Sequence, residues 1–485
     1  MAILTNRAPA EAPALAILLS LLSTLPFLVA RQPQLTDYAS HLARYHVMLN
    51  IGRSAWLARY YQFHWIWTGN LGVDLLMWPL GRILGVETAG WLIGLLIPPL
   101  TGLALVTVEW VLRRRVGVGA LLALTLIWSP AMGMGFANFC LSLALALFAF
   151  ALWVRLDGWR WRWLAFVPIG FAVWLCHATG WGVLGVLVFG YEWHKRNRPS
   201  AFLAPWPLTL PLVPMLLAGG AGGGTGARLY GPHPWFYKKA VLIQTMRDQS
   251  FALDRATPLI LLLLILAAMV LRRFDGRLGW GAWLIGALVL AVPRHLGGGD
   301  YADYRLIPVA LMIGCLAIDW RAPRLLLWLA PLLFLVRLDL TTEAWARNSR
   351  ILEADLKALD QLPMGARVAG AVLVERTGWK LNPFEHAPSY ATVRRDALVN
   401  SHFAIPGVHM LQLRERIPDF VDPSHRLMHW PGEPIDLARF APAHHADYLW
   451  YFGWSPPTAL PPGASVLYRT RHSLLARLAK PPASR

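Results

Sequence analysis

The chain has 485 residues, of which 56% are hydrophobic and 15% are charged, and its formal net charge is +18. A soluble globular chain carries roughly 25% charged residues, so this composition excludes an ordinary soluble domain and indicates an integral membrane protein. The arginines recur in short runs between apolar segments, which is typical of positive-inside anchors and argues against nucleic-acid binding. Three cysteines, Cys140, Cys176 and Cys315, lie in apolar runs without the spacing of a metal site.

Apolar runs long enough to cross a bilayer recur over residues 12–340, and we predict about eleven transmembrane helices. The run Ala12–Ala30 is interpreted as a retained first helix rather than a signal peptide. The predicted spans begin near Ala12, Ala89, Gly117, Asn138, Trp163, Trp181, Ala201, Thr257, Leu278, Leu306 and Leu325. When the N-terminus is cytoplasmic, every short basic loop lies on the cytoplasmic side, so the C-terminus is predicted to be extracytoplasmic.

Three long segments then lie outside the membrane. They are the first outer loop (31–88), a glycine-rich outer loop (219–254) and the region after residue 340. The predicted domains are a transmembrane domain over 1–340 and a small extracytoplasmic α/β domain over 341–485. In the latter, apolar spacing predicts a helix over Ala344–Leu362. The strands predicted there are Arg367–Val374, Tyr448–Phe452 and Ser465–Tyr468.

The first outer loop contains the most informative polar residues. Thr36 is predicted to cap a helix that runs through Asn50. On that helix Asp37, His41 and Arg44 have the spacing i, i+4 and i+7, so they share one face. An acid, a titratable base and a cation would suit deprotonation of a hydroxyl beside a bound phosphate. The alternative is that Asp37 caps the helix while His41 and Arg44 face water.

This layout resembles the GT-C superfamily of integral membrane glycosyltransferases, which includes protein O-mannosyltransferases, lipid A aminoarabinose transferases and oligosaccharyltransferases. Members share an acidic residue in the first outer loop, many spans and often an extracytoplasmic C-terminal domain. Asp37 stands where their first-loop acid stands. The motif TDYASHLARY, with NLGVDLL and GFANFCLSL further on, also resembles uncharacterised bacterial membrane proteins. The first loop has no DxD or ExD pair, so the sequence leaves it open whether a divalent cation takes part.

The resemblance implies an all-α polytopic bundle in a bacterial inner membrane and an inverting transfer from a polyprenyl-phosphate sugar to a lipid, glycan or protein acceptor. Asp37 would be the general base, assisted by His41. Arg44 and Arg305 would bind the phosphate.

Further residues are interpreted in two ways. Asp300 and Asp303 could bind a divalent cation or a sugar hydroxyl, or Asp303 could pair with Arg305. Lys238 could meet anionic lipid or only anchor at the interface, and His177 is either packed or catalytic. The polar cluster of Glu385, His386, Tyr390, Arg394 and Arg395 could contribute to a site or form a domain surface, and the surface is favoured. A transporter or flippase of lipid-linked glycans and a non-catalytic scaffold remain the alternative functions.

Overall fold

The computed structural model describes residues 11–217, 229–296, 299–320, 324–406, 408–420 and 423–479. The glycine segment Gly219–Gly226 lies outside the described residues. The chain divides into two compact units. The helical unit comprises Met1–Leu28, Trp67–Val73 and Ile93–Glu343, and the mixed unit comprises Val29–Ile66, Asp74–Leu92 and Ala344–Arg485.

Apolar helices dominate the helical unit. Among the described residues, three helices are long and apolar enough to cross a membrane, and they are Val86–Arg113, Ala137–Arg155 and Phe251–Val270. The shorter apolar helices are Pro13–Val29, which has a turn inside it, Arg162–Cys176, Gly276–Ala291 and Leu306–Ala317. Outside the first outer loop, the remaining described helices of ten residues or more are Ala178–Arg196, Pro234–Ile243 and Arg324–Leu356, and helix Gly72–Leu84 lies within that loop. The count of about eleven spans therefore stays a prediction.

Two predicted spans are not continuous helices. The span predicted from Gly117 consists of Val118–Leu124 and Pro130–Gly133. The span predicted from Ala201 consists of two 3₁₀ turns, Pro199–Leu203 and Trp206–Leu208, and the short helix Leu212–Leu217. Proline recurs through this second stretch, and each proline lacks the backbone N–H that an uninterrupted helix needs.

The mixed unit is built around a sheet of six strands. The strands of the unit are β1 Tyr61–Phe63, β2 Arg367–Glu375, β3 Leu398–Val399, β4 Leu411–Leu413, β5 Arg426–His429, β6 Tyr448–Phe452, β7 Ser465–Arg469 and β8 Ser473–Arg477. The order is β3-β2-β6-β8-β7, with β5 also on β2, and β1 pairs with β4 separately. Strand β2 is parallel to β3, β5 and β6, whereas β8 is antiparallel to both of its neighbours. Strand β2 is buried over Val368–Leu373, as expected of a parallel strand. All three predicted strands are confirmed.

Except for Trp67–Val73, which belongs to the helical unit, the first outer loop belongs to the mixed unit. Its helix Tyr38–Asn50 (the first-loop helix) is followed by helix Ala55–Tyr60, which Ser54 caps through the amide of Leu57. One apolar core joins this loop to the C-terminal region, and its buried members are Val47, Leu57, Tyr61, Leu398, Leu411 and Phe420. The hydroxyl of Tyr61 in this core donates to the carbonyl of Ala397 at 3.0 Å. The predicted transmembrane domain had included this loop.

Two local predictions need correction. The first-loop helix ends at Asn50 as predicted, but its N-cap is Asp37 and not Thr36. The predicted helix Ala344–Leu362 is not a separate element, because helix Arg324–Leu356 runs on into it without a break and a 3₁₀ turn, Lys357–Gln361, follows. Two short elements between β2 and β3, the 3₁₀ turn Ala387–Ser389 and the helix Tyr390–Arg395, complete the region next to the candidate site.

Candidate active site

A carboxylate stands at the start of the first-loop helix. Asp37 is the N-cap residue, yet its side chain makes no capping hydrogen bond. The Asp37 side chain is 13% exposed, and its Oδ1 lies 3.7 Å from Nε2 of His386. Helix capping therefore does not account for this carboxylate, which instead faces an imidazole from the segment that follows β2.

The imidazole of His386 is held in one tautomer. The residue is fully buried, and its Nδ1 lies 2.5 Å from the carbonyl oxygen of Ser401. A carbonyl only accepts hydrogen bonds, so Nδ1 carries the proton and Nε2 presents a lone pair. Burial, with the charge of His425, holds the pKa of His386 well below its usual value. The backbone of His386 has φ +56°, a left-handed conformation that few residues other than glycine adopt and that tends to occur at functional sites.

Two further buried groups adjoin His386. The ring centroid of His425 lies 4.4 Å from that of His386, and the Nε2 of His425 lies 3.2 Å from Oε1 of Glu385. Arg426 donates to the same carboxylate oxygen. Burial raises the pKa of Glu385, but the hydrogen bond and charge of His425 and the charge of Arg426 outweigh it, so the pKa lies below its usual value. The carbonyl of His425 accepts from the amide of Val372 at 2.7 Å, which fixes the histidine at the start of β5.

His41, the predicted base on the first-loop helix, lies near His386 with the Phe403 ring between them. The ring of His41 lies 6.2 Å from that of Phe403, which lies 4.9 Å from that of His386. Burial, together with the positive charges of Arg44 and His409, lowers the pKa of His41 to about 3. His41 is therefore neutral near pH 7 and less basic than a catalytic base working at that pH should be.

The predicted phosphate ligand Arg44 is engaged within the protein. Its guanidinium is buried, and its Nη2 lies 2.9 Å from the carboxylate of Asp74 and 3.3 Å from the hydroxyl of Tyr45. Asp74 is fully buried in helix Gly72–Leu84. The charge of Arg44 is thus balanced by a buried carboxylate, which removes the reason to assign it to a lipid phosphate.

Lys238, in the helical unit, is likewise satisfied by protein oxygens. Its ammonium donates to the carbonyls of Val289 and Val292, at 2.7 and 2.6 Å, and to Asp303. These three acceptors match the three donors of an ammonium group, which leaves none for an anionic lipid. These contacts leave the predicted lipid contact of Lys238 unsupported, and the alternative pairing of Asp303 with Arg305 is wrong, because Asp303 pairs with Lys238.

The acid pair of the loop before helix Leu306–Ala317 does not converge on a cation site. Asp303 is fully buried against Lys238. Asp300 instead accepts two hydrogen bonds from Arg294, at 2.9 and 3.0 Å, and lies 3.2 Å from His295. Each acid is neutralised by a different cationic side chain, which argues against joint binding of a divalent ion.

Arg305 and His177 lie together in the helical unit. Nη1 of Arg305 is 3.3 Å from Nε2 of His177, and the guanidinium lies 4.3 Å from the centre of the Phe136 ring. His177 also caps helix Ala178–Arg196, since its Nδ1 accepts from the amide of Thr179. Arg305 borders a small cavity, and it is the single charged residue among the described lining residues. The apolar lining includes Ile97, Leu126, Phe139, Leu143, Val309 and Met312.

Sequence reasoning missed part of the site. The favoured surface interpretation is wrong for Glu385, His386 and Tyr390, which are all buried. The sequence did contain a signal for Glu385 and His386. They are adjacent ionisable residues, and the apolar segments before and after them form the strands β2 and β3. Asp74 carried a clearer signal, since it interrupts the apolar run NLGVDLL. His425 carried none, because nothing local distinguishes it from the chain's other histidines.

No protein-family model matches the chain, and a comparison with curated proteins gives no match. Among solved structures, the chain is similar to ArnT from Cupriavidus metallidurans, whose crystal structure contains undecaprenyl phosphate. The likeness has a TM-score of 0.47 and 11% sequence identity, and it covers 96% of each chain.

Proposed function

We propose that the protein is an integral membrane glycosyltransferase that moves a sugar from a polyprenyl-phosphate donor to an acceptor hydroxyl on the extracytoplasmic side. The observation that carries the proposal is the position of Asp37. It is a part-exposed carboxylate in the first outer loop, it makes no capping bond, and it faces a buried imidazole. The sequence resemblance to GT-C enzymes, in which a first-loop acid stands at this place, supports the same assignment.

The proposed chemistry is a single displacement. The acceptor hydroxyl gives its proton to Asp37 as its oxygen bonds to the anomeric carbon, the bond from that carbon to the phosphate oxygen breaks, and polyprenyl phosphate leaves. A single displacement of this kind inverts the configuration of the anomeric carbon. General-base catalysis of this kind contributes roughly 10²–10⁴-fold to the rate.

Arg305 is the proposed ligand of the donor phosphate. A polyprenyl phosphate joins a long apolar chain to an anion, and the cavity beside Arg305 combines an apolar lining with one guanidinium. Arginine suits this role because its planar fork contacts two phosphate oxygens at once. Arg44 and Lys238 are not proposed for this role again, since each forms a buried ion pair with a carboxylate of the protein.

The test is sugar transfer by the purified full-length protein in lipid nanodiscs, with labelled polyprenyl-phosphate sugars as donors and mixed lipid and glycan acceptors. We expect Asp37→Asn to lower the transfer rate by about 10²-fold or more. Asp360→Asn is the matched control, because Asp360 is an exposed acid of the same unit that pairs with Arg395 at 3.2 Å. Full transfer by Asp37→Asn would refute the base assignment.

A second measurement addresses the donor. Arg305→Met is expected to weaken donor binding by roughly tenfold or more, whereas Arg305→Lys, which keeps the charge, should lose less. Donor binding by the wild type with no transfer to any acceptor would instead favour a flippase of lipid-linked glycans.

A further inference from the structure

Glu385, His386 and His425 form a compact cluster of metal-ligating side chains. All three are buried, and one ligand atom from each lies within 4.8 Å of the others. In tetrahedral zinc coordination with bonds of about 2.0–2.1 Å, neighbouring ligand atoms are roughly 3.3 Å apart. The separation of 3.2 Å between Nε2 of His425 and Oε1 of Glu385 lies close to that value.

The imidazole of His386 carries a lone pair that the described protein leaves unused. Nε2 of His386 is buried and has no hydrogen-bond partner in the described part of the chain. It faces the carboxylate oxygen of Asp37, so two acceptors approach each other. A buried acceptor without a donor is costly, and a cation bound to it removes that cost.

Neighbouring groups hydrogen-bond to the proposed ligands, as groups around a metal site usually do. A metal-bound histidine donates its second ring N–H to a carbonyl or carboxylate. His386 does this through Nδ1 to the carbonyl of Ser401. Arg426 donates to Glu385, and a carboxylate has enough lone pairs to accept that bond and bind a metal as well.

We propose that Glu385, His386 and His425 bind one transition-metal ion of the zinc class, with the fourth coordination position next to Asp37. Two imidazoles favour such an ion over Mg²⁺ or Ca²⁺, which prefer oxygen ligands. Three protein ligands with one remaining position are the arrangement of zinc sites that hold a water or a substrate oxygen. This site goes beyond the proposed sugar transfer and does not depend on it.

The experiment measures metal directly. Protein purified without a polyhistidine tag is stripped with a chelator, reloaded with Zn²⁺ and analysed for metal content by mass spectrometry. We expect one equivalent of Zn²⁺ per chain and a higher melting temperature on reloading. Reloading with Co²⁺ should give the intense visible absorption of a four-coordinate site.

Matched variants locate the site. His386→Gln and His425→Gln should each bind Zn²⁺ at least about tenfold more weakly. His402→Gln is the control, because His402 is an equally buried histidine of the same unit whose Nε2 is bonded to Thr392. Asp37→Asn should retain the metal, which separates this site from the loss of sugar transfer.

Two results would overturn the proposal. One is a wild-type protein that binds no Zn²⁺ after reloading and shows no change in melting temperature. The other is Zn²⁺ binding that is equally strong in the wild type, the two ligand variants and the control. The wild-type measurements need no substitution, so they stand even if a variant fails to fold.

Discussion

The buried ion pair of Arg44 and Asp74 allows one prediction to be worked from the structure. The two groups approach to 2.9 Å, with side-chain exposures of 11% and 0%. At an effective dielectric of about 20, charges at that distance attract by roughly 6 kcal/mol. Much of this offsets desolvation, and breaking one side of such a pair costs about 3–5 kcal/mol because a buried charge is left uncompensated. Asp74→Asn keeps a hydrogen-bond acceptor, so we expect a loss of about 3 kcal/mol.

Hydrogen exchange followed by mass spectrometry measures this loss locally, over Tyr38–Asn50. About 3 kcal/mol corresponds to exchange that is roughly 10²-fold faster. The double variant Arg44→Met with Asp74→Leu removes both charges and should cost about 1 kcal/mol or less relative to the wild type. Exchange in Asp74→Asn within about threefold of wild type would refute the reasoning, and so would a double variant as unstable as the single one.

Three further predictions concern pH, backbone conformation and topology. Burial raises the pKa of Asp355 to about 6, above its unfolded value of about 4, so its contribution to stability is full below pH 4 and is lost as the pH rises through 6. Melting of the wild type should therefore show a loss of about 2–3 kcal/mol across that range, and Asp355→Asn should lack it. Gly365 has φ +70°, and a Cβ there would lie 2.2 Å from the Trp56 ring, so Gly365→Ala should lower the free energy of unfolding by about 2 kcal/mol or more in chemical denaturation. A reporter fused after Arg485 should be active only outside the cytoplasm, and cytoplasmic activity would contradict the predicted topology.

The parts of the fold that the sequence predicted are those that local patterns specify. Strands β2 and β6 are short, apolar runs between turn residues, so their limits could be read almost to the residue. The end of the first-loop helix at Asn50 was predicted for the same reason. Unbroken apolar runs were less informative, because hydropathy does not register the prolines that divide residues 199–217 into short turns.

The candidate site could be predicted only in part, because its contacts join distant segments. Asp37 was identified from its own neighbourhood, but nothing in that neighbourhood indicates His386, which lies more than three hundred positions further along the chain. For Arg44 the local pattern is clear, but it does not specify the partner. Its i, i+7 spacing from Asp37 predicts a shared helix face, but a cation on such a face is equally compatible with a phosphate and with the buried Asp74.

The most direct measurement of the central claim separates donor binding from chemistry at Asp37. Purified wild-type protein and Asp37→Asn are loaded with the same labelled polyprenyl-phosphate sugar, mixed with acceptor, and followed through a single turnover. The account predicts similar donor affinity for the two proteins and release of polyprenyl phosphate that is slower in Asp37→Asn by about 10²-fold or more. Release at the wild-type rate by Asp37→Asn would contradict it.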